Sequence, residues 1–189
     1  MRRKGPRHYW DACIFLAWLH DDWAGVPGVM EGIEEIAKEV HENRAVLFTS
    51  VVTKTEVLEH RLKPRAKEMF TRLFMRHNVS YVNHDERVGD LSHAIRDHYA
   101  GKPEPERVVY GTQDCIHLAT AILYEADCFY TLDGAGPRKR KADLLLLNGN
   151  VMGHALKIAM PSGQPSLFSQ PVPPVRAIKV PPKSGGDKT

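Results

Sequence analysis

Apolar and polar positions follow two alternating periods along the first 160 residues, one typical of buried strands and one typical of amphipathic helices. Short apolar runs predict strands at residues 8–11, 45–49, 79–83 and 128–132. Apolar residues at helical spacing predict helices at residues 13–20, 29–43, 53–62, 65–77, 86–100 and 112–126. Weaker patterns lie at residues 144–147 and 155–160. Strands separated by helices predict an α/β fold with three α/β/α layers and a mostly parallel central sheet.

The composition changes at both ends of this pattern. Residues 161–189 contain seven prolines and three glycines, and few large apolar side chains. Such a segment has too little apolar surface to offset the entropy lost on ordering, so we expect an extended or disordered tail. Residues 1–7 carry four cations. The sequence thus predicts a basic segment at 1–7, a folded domain at 8–160 and a Pro-rich tail at 161–189.

Overall composition predicts a globular protein outside the membrane. Apolar residues make up 42% and charged residues 26% of the 189 positions, and no apolar run approaches the ~18 residues that a membrane span needs. Both ends are basic while the whole chain carries only +3, so the body is net acidic, which argues against a protein that coats DNA. Three cysteines without a C-x-x-C pair favour a reduced, cytoplasmic compartment.

Candidate chemistry is concentrated in carboxylates at predicted strand ends and helix starts. They are Asp11, Glu56, Asp114 and Asp133. Ligands of parallel sheets bind beyond the carboxyl ends of the strands, so these side chains could share one edge of the sheet. Carboxylates are the preferred protein ligands of Mg²⁺ and Mn²⁺. Bound cations would also relieve the repulsion among like charges.

Each acid taken singly has a structural interpretation. Asp114 could interact with the dipole of the helix that it begins. Glu56 could be an exposed helical residue, and Asp133-Gly134 is a common turn pair. Only the combination of the acids favours a functional site.

Three blocks of the sequence resemble the PIN-domain ribonuclease family, especially the VapC-type toxins. The block Y-W-D-A-C-I-F-L resembles the family's first strand and its acid, which corresponds to Asp11. The block S-V-V-T-K-T-E resembles the second acidic segment, with Glu56 as the acid. The blocks D-C-I-H-L-A-T-A and C-F-Y-T-L-D resemble the third, with Asp114 and Asp133. Cys13 departs from the Ser or Asn that the family often has there.

The resemblance implies a metal-dependent endoribonuclease. The resemblance places Mg²⁺ or Mn²⁺ on the four acids, with supporting hydroxyls at Ser50, Thr53 and Thr131. Such an enzyme cleaves RNA with a metal-activated water. In toxin relatives a cognate antitoxin blocks the site and the nuclease forms a homodimer. A stand-alone PIN nuclease of RNA maturation or decay, and a silent PIN-like module that binds RNA or protein, are alternatives.

Other polar residues are expected to bind RNA or to pack in the core. A basic run follows Asp133 closely and could bind RNA phosphates; its members are Arg138, Lys139, Arg140 and Lys141. A packing role is favoured for His117, one helical turn after Asp114. Cys13 and Cys115 are expected to be small packing residues rather than nucleophiles, because no adjacent base is evident.

Overall fold

The computed structural model describes residues 5–21, 26–137 and 140–163. The strands are β1 (Arg7–Trp10), β2 (Val46–Ser50), β3 (Val79–Val82), β4 (Cys128–Tyr130) and β5 (Ile158–Ala159). The helices are α1 (Ala12–His20), α2 (Val29–His41), α3 (Val51–Glu59), α4 (Pro64–Leu73), α5 (Glu86–Ala100) and α6 (Thr112–Leu123). A 3₁₀ turn covers Leu144–Leu147. The predicted alternation of strands and helices is therefore confirmed, while several boundaries differ.

Local chemistry explains the boundaries that differ from the prediction. Helix α3 begins at Val51 instead of residue 53, because the Ser50 hydroxyl accepts a hydrogen bond from the Val52 amide and caps the helix directly at the end of β2. Helix α4 begins at Pro64, whose missing N–H is not needed in a first helical turn. Strand β4 ends at Tyr130, two residues earlier than predicted.

All five strands run parallel, in the order β3-β2-β1-β4-β5. Strand β1 is central, and its Tyr9 lies opposite Phe48 of β2 and Phe129 of β4. Helices cover both faces of the sheet, so the predicted three-layer α/β/α fold with a parallel central sheet is confirmed.

The alternation of side chains along β1 divides the core into two parts. Tyr9 points into the layer of α5 and α6, where it stacks on Phe129 with ring centroids 5.0 Å apart. Trp10 points to the opposite layer of α1, α2 and α4, where its ring meets the edge of Phe15 at 5.2 Å. Burial of both faces explains why the strands are nearly continuous apolar runs.

The described chain beyond β5 contacts the start of α2. Gly163 donates a backbone hydrogen bond to the Gly28 carbonyl at the start of α2. A β-carbon on Gly32 would lie 2.4 Å from the Ser162 nitrogen, so the segment passes too close to α2 for a larger residue. Most of the predicted Pro-rich tail, residues 164–189, lies outside the described residues.

Among the helices in the described ranges, none is both long and apolar enough to cross a membrane.

Candidate acidic site

The Asp11 carboxylate lies at the centre of the site because β1 is the central strand. It follows β1 directly and caps α1, accepting a 2.7 Å hydrogen bond from the Ala12 amide on Oδ1. Its Oδ2 accepts hydrogen bonds from the Thr131 hydroxyl at 2.8 Å and the Cys13 thiol at 3.3 Å. The residue is 7% exposed, and these donors fix the orientation of its side chain at the edge of the sheet. The supporting hydroxyl expected at Thr131 thus contacts Asp11 directly.

The other two expected hydroxyls secure the backbone instead. Ser50 caps α3. The Thr53 hydroxyl pairs with the Thr49 hydroxyl at 2.6 Å, and Thr49 donates to the carbonyl of Trp10. These bonds fasten the start of α3 to β1 and β2, and so position Glu56 indirectly.

Glu56 is brought to Asp11 by a buried histidine. His117 is 1% exposed, and its Nε2 lies 2.8 Å from Glu56 Oε2 and 3.7 Å from Asp11 Oδ1. Its Nδ1 lies 2.6 Å from the Tyr9 hydroxyl. Burial by itself lowers the pKa of His117, but the hydrogen bond to Glu56 and the charges of Asp11 and Glu56 outweigh it and raise that pKa.

The interpretation of His117 as a packing residue is therefore incomplete. Its ring is buried as expected, yet both nitrogens meet polar atoms of the site. The signal available in the sequence was its spacing: three residues after Asp114, it lies on the same face of α6.

Asp114 lies in the first turn of α6, as predicted. Its Oδ2 accepts a 3.2 Å hydrogen bond from the Gly111 amide, and a β-carbon on Gly111 would lie 2.8 Å from the same oxygen. Burial and then the charges of Asp11 and Asp133 raise the pKa of Asp114 to about 6. The three carboxylates thus share one electrostatic environment.

Asp133 does not end strand β4, contrary to the sequence expectation. It lies three residues beyond Tyr130, in a turn that Gly134 makes possible with φ of +95°. Its Oδ1 accepts a hydrogen bond from Arg140, and its Oδ2 accepts one from the Leu144 amide at 3.2 Å. The Asp133 amide donates a 3.0 Å hydrogen bond to the Thr131 hydroxyl. Both oxygens of this acid are therefore already engaged.

The described residues include two members of the predicted basic run, Arg140 and Lys141. Arg138 and Lys139 lie outside the described residues. Arg140 contacts Asp133 and also Asp143, a buried carboxylate that the sequence analysis missed. Lys141 lies 3.5 Å from Glu104, away from the acids. Arg140 is thus the described cation of the run that borders the acidic site.

The thiols of the site region are protonated packing groups. Burial and the charge of Asp11 raise the pKa of Cys13 well above its ordinary range. Burial and the charge of Asp114 raise the pKa of Cys115 to about 11. Neither is poised as a nucleophile at neutral pH.

The donor chemistry of the site suits a hard cation, but the side chains do not enclose a common point. Within residues 5–21, 26–137 and 140–163, no three His, Cys, Asp or Glu side chains are arranged to hold a metal ion. The carboxylate oxygens of Asp11, Glu56 and Asp114 are nevertheless the ligands that Mg²⁺ and Mn²⁺ prefer. Burial and then the charges of Asp11 and Asp133 raise the pKa of Asp114, and a bound cation would relieve the like-charge part of that effect.

Comparison with known proteins gives two results. Residues 9–142 match the family model of the PIN domain. A solved structure, that of VapBC2 from Rickettsia felis bound to a DNA fragment from its promoter, contains a chain with the same fold: the TM-score is 0.55 at 10% identity, covering 80% of this chain and 98% of the other. A search of curated proteins found no match.

Proposed function

Because this chain belongs to the PIN domain family, whose members are generally nucleases, we propose that it is a metal-dependent endoribonuclease. The observation that carries the proposal is the meeting of acids from three separate elements. Asp11 follows β1, Glu56 lies on α3, and both face His117 of α6, one turn from Asp114. Sequence separation between these residues is large, so only the fold brings them together.

Asp11, Glu56, Asp114 and Asp133 would hold Mg²⁺ or Mn²⁺. Such an ion supplies an activated water and stabilises the oxygens of the phosphodiester during cleavage. The chain itself orients the carboxylates: Thr131 fixes Asp11, His117 fixes Glu56, and the Gly111 amide fixes Asp114. The Asp133 carboxylate would become a metal ligand once Arg140 releases it and binds another anion.

The basic run following Asp133 would bind the RNA backbone. Arg140 is 72% exposed at its side chain and borders the acids, so its guanidinium can reach a phosphate placed at the site. Arg138 and Lys139 precede it, and Lys141 follows it. A cation beside an acidic pocket reduces the repulsion that the pocket exerts on an incoming polyanion.

We further propose that the protein is the toxin of a toxin–antitoxin pair, acts in the cytoplasm, forms a homodimer and is blocked by a cognate antitoxin. The support is the shared fold with a chain of the VapBC2 complex. A stand-alone PIN nuclease of RNA maturation or decay would use the same acidic site. Co-expression with the product of any small adjacent gene, followed by size-exclusion chromatography, separates the two: a stable complex that loses cleavage supports the toxin.

The nuclease activity is tested with the full chain and two substrates of one sequence, a 5′-labelled RNA and its DNA counterpart. We expect internal cleavage of the RNA with Mn²⁺ and none with excess chelator. The Asp114→Asn variant is the matched negative control, since it keeps the size of the side chain and loses the charge. Cleavage that is equally fast in chelator, or equal in the variant, would contradict the proposal.

A further inference from the structure

A chain of hydrogen bonds links the backbone at the end of β2 to the Glu56 carboxylate of α3 through β1 and α6. The Ser50 amide donates to the Tyr9 hydroxyl at 3.0 Å, Tyr9 contacts His117 Nδ1 at 2.6 Å, and His117 Nε2 contacts Glu56 Oε2 at 2.8 Å. Every link except Glu56 is buried. The chain runs through β1 and α6 and ends on α3, the elements that position Asp11, Asp114 and Glu56.

The protonation of one imidazole nitrogen follows from its neighbours. His117 Nε2 faces two carboxylates, Glu56 at 2.8 Å and Asp11 at 3.7 Å, and a carboxylate can only accept hydrogen bonds when ionised. Nε2 therefore carries a hydrogen in either charge state of the ring. The ring is a fixed donor aimed at the space between the two acids.

Tyr9 fixes the plane of this donor. Its hydroxyl contacts Nδ1 on the far side of the imidazole, and the two rings meet edge to face with centroids 5.9 Å apart. Burial raises the pKa of Tyr9, so the phenol keeps its proton. With both nitrogens engaged and 1% of the residue exposed, the ring cannot rotate without breaking a buried hydrogen bond.

Glu56 needs such a support more than Asp11 does. Its side chain is 26% exposed and has three rotatable bonds, whereas Asp11 is held by Ala12 and Thr131. A flexible carboxylate loses rotamer entropy when it binds an ion, and pre-ordering it removes that cost. Polar groups that orient a metal ligand contribute about 10- to 100-fold to metal affinity.

We propose that His117, held by Tyr9, is a positioning residue for Glu56, a role that rests on the proposed metal-dependent function. It acts through Glu56 and not on the substrate. The amide of a glutamine at position 117 can occupy the place of Nε2, whereas that of an asparagine falls near Nδ1 and does not reach Glu56. The two substitutions therefore separate the donor from the bulk of the ring.

The test measures Mn²⁺ binding by calorimetry without RNA, and kcat and KM for RNA cleavage, in His117→Asn, His117→Gln and Tyr9→Phe. We expect His117→Asn to weaken Mn²⁺ binding by about 10- to 100-fold and to lower kcat with little change in KM. His117→Gln should recover most of the affinity. Tyr9→Phe should give a smaller loss, because Nε2 keeps its partner. Thr120→Val is the matched control: Thr120 is equally buried on α6, but its hydroxyl donates to the Ile116 carbonyl of the same helix, and its variant should bind Mn²⁺ normally.

A double-mutant cycle with Glu56→Ala distinguishes positioning from packing. If His117 acts through Glu56, the His117→Asn change has little further effect on Mn²⁺ affinity once Glu56 is removed. Additive losses, or equal affinities in the wild type and His117→Asn, would overturn the inference while leaving the proposed function intact. A wild type that neither binds Mn²⁺ nor cleaves RNA would remove the proposed function and this inference with it. Should His117→Asn fail to fold, His117→Gln and Tyr9→Phe complete the comparison in the same two backgrounds.

Discussion

Asp133 and Arg140 form an ion pair at the border of the acidic site, seven residues apart on the same loop. Arg140 also reaches the buried Asp143, and Asp133 also accepts the Leu144 amide. The pair thus closes the loop that follows β4 and compensates one of the four acids from within the chain. An internal cation on a proposed metal ligand is a competitor for that ligand.

Removing Arg140 should therefore favour metal binding and disfavour RNA binding. We expect Arg140→Ala to bind Mn²⁺ more tightly and RNA more weakly, since Asp133 loses its cation and the site loses a phosphate-binding group. The free energy of unfolding should also fall, because Arg140 is a cationic partner of the buried Asp143 carboxylate as well as of Asp133. Calorimetry with Mn²⁺ and fluorescence anisotropy with uncleaved RNA measure the two affinities.

Lys141→Ala provides the control for this change. Lys141 belongs to the same basic run but pairs with Glu104. It should leave Mn²⁺ affinity unchanged. Equal Mn²⁺ affinities in the wild type and Arg140→Ala would show that Asp133 is not a ligand.

The pKa of Asp114 predicts how stability depends on pH in the absence of metal. It stands at about 6 in the folded protein against an ordinary 3.8. Between these values the folded state binds more protons than the unfolded state, so the free energy of unfolding contributed by this group falls as pH rises from about 4 to about 6. Denaturant unfolding in chelator across this range should show the decline, and Asp114→Asn should show less of it.

Added Mn²⁺ should reverse the dependence. Metal binding requires an ionised carboxylate, so the stabilisation by Mn²⁺ should increase as pH passes about 6. The increase in melting temperature on adding Mn²⁺ at pH 5 and pH 7.5 measures it. A shift that is the same at both pH values, or that is unaffected by Asp114→Asn, would contradict a role for this carboxyl in binding the ion.

Removing the Thr131 hydroxyl should lower both the stability and the activity of the protein. This hydroxyl donates to Asp11 and accepts a hydrogen bond from the Asp133 amide, and it is fully buried. Thr131→Val keeps the shape and leaves these partners unsatisfied, which should lower the free energy of unfolding by about 1–3 kcal/mol and slow cleavage. Thr131→Ser keeps the hydroxyl and should restore activity. Urea unfolding measures the stability of the two variants, and an RNA cleavage assay measures their activity. Equal cleavage rates in Thr131→Val and Thr131→Ser would show that the hydroxyl only supports the fold.

Adding a single methyl group at position 111 should disturb the acidic site. A β-carbon there would lie 2.8 Å from Asp114 Oδ2, so Gly111→Ala must displace the carboxylate from the Gly111 amide. We expect Mn²⁺ binding to weaken by about tenfold or more. Gly136→Ala is the matched control, because a β-carbon there has no atom of the described residues within 4 Å. If both variants bind Mn²⁺ like the wild type, the position of Asp114 does not matter for metal binding.

The sequence predicted the parts of the site that local rules determine. An acid directly after a central strand, and an acid in the first turn of a helix, have positions fixed by the strand and the helix, which explains Asp11 and Asp114. The position of Asp133 depends instead on a loop closed by Arg140 and the Leu144 amide. No periodicity encodes such a closure, so the strand end was the wrong location.

The same distinction applies to the supporting residues. Thr131 follows β4 and faces Asp11 across adjacent parallel strands, an arrangement that strand order determines. The link from Tyr9 through His117 to Glu56 requires three elements to pack at once. Its only trace in the sequence is the three-residue spacing of Asp114 and His117.

The metal-dependent nuclease function is tested most directly by the rate of Mn²⁺-dependent RNA cleavage by the wild type and by Asp114→Asn, with thermal unfolding of both. We expect Asp114→Asn to lower kcat by about a hundredfold or more, the size of loss known for removing one group that stabilises charge in a transition state. The variant should unfold without metal at the same temperature as the wild type or slightly above it, because like-charge repulsion is relieved. An Asp114→Asn protein that cleaves RNA normally, or that fails to fold, would show that the acid is structural and not a ligand of a catalytic metal ion.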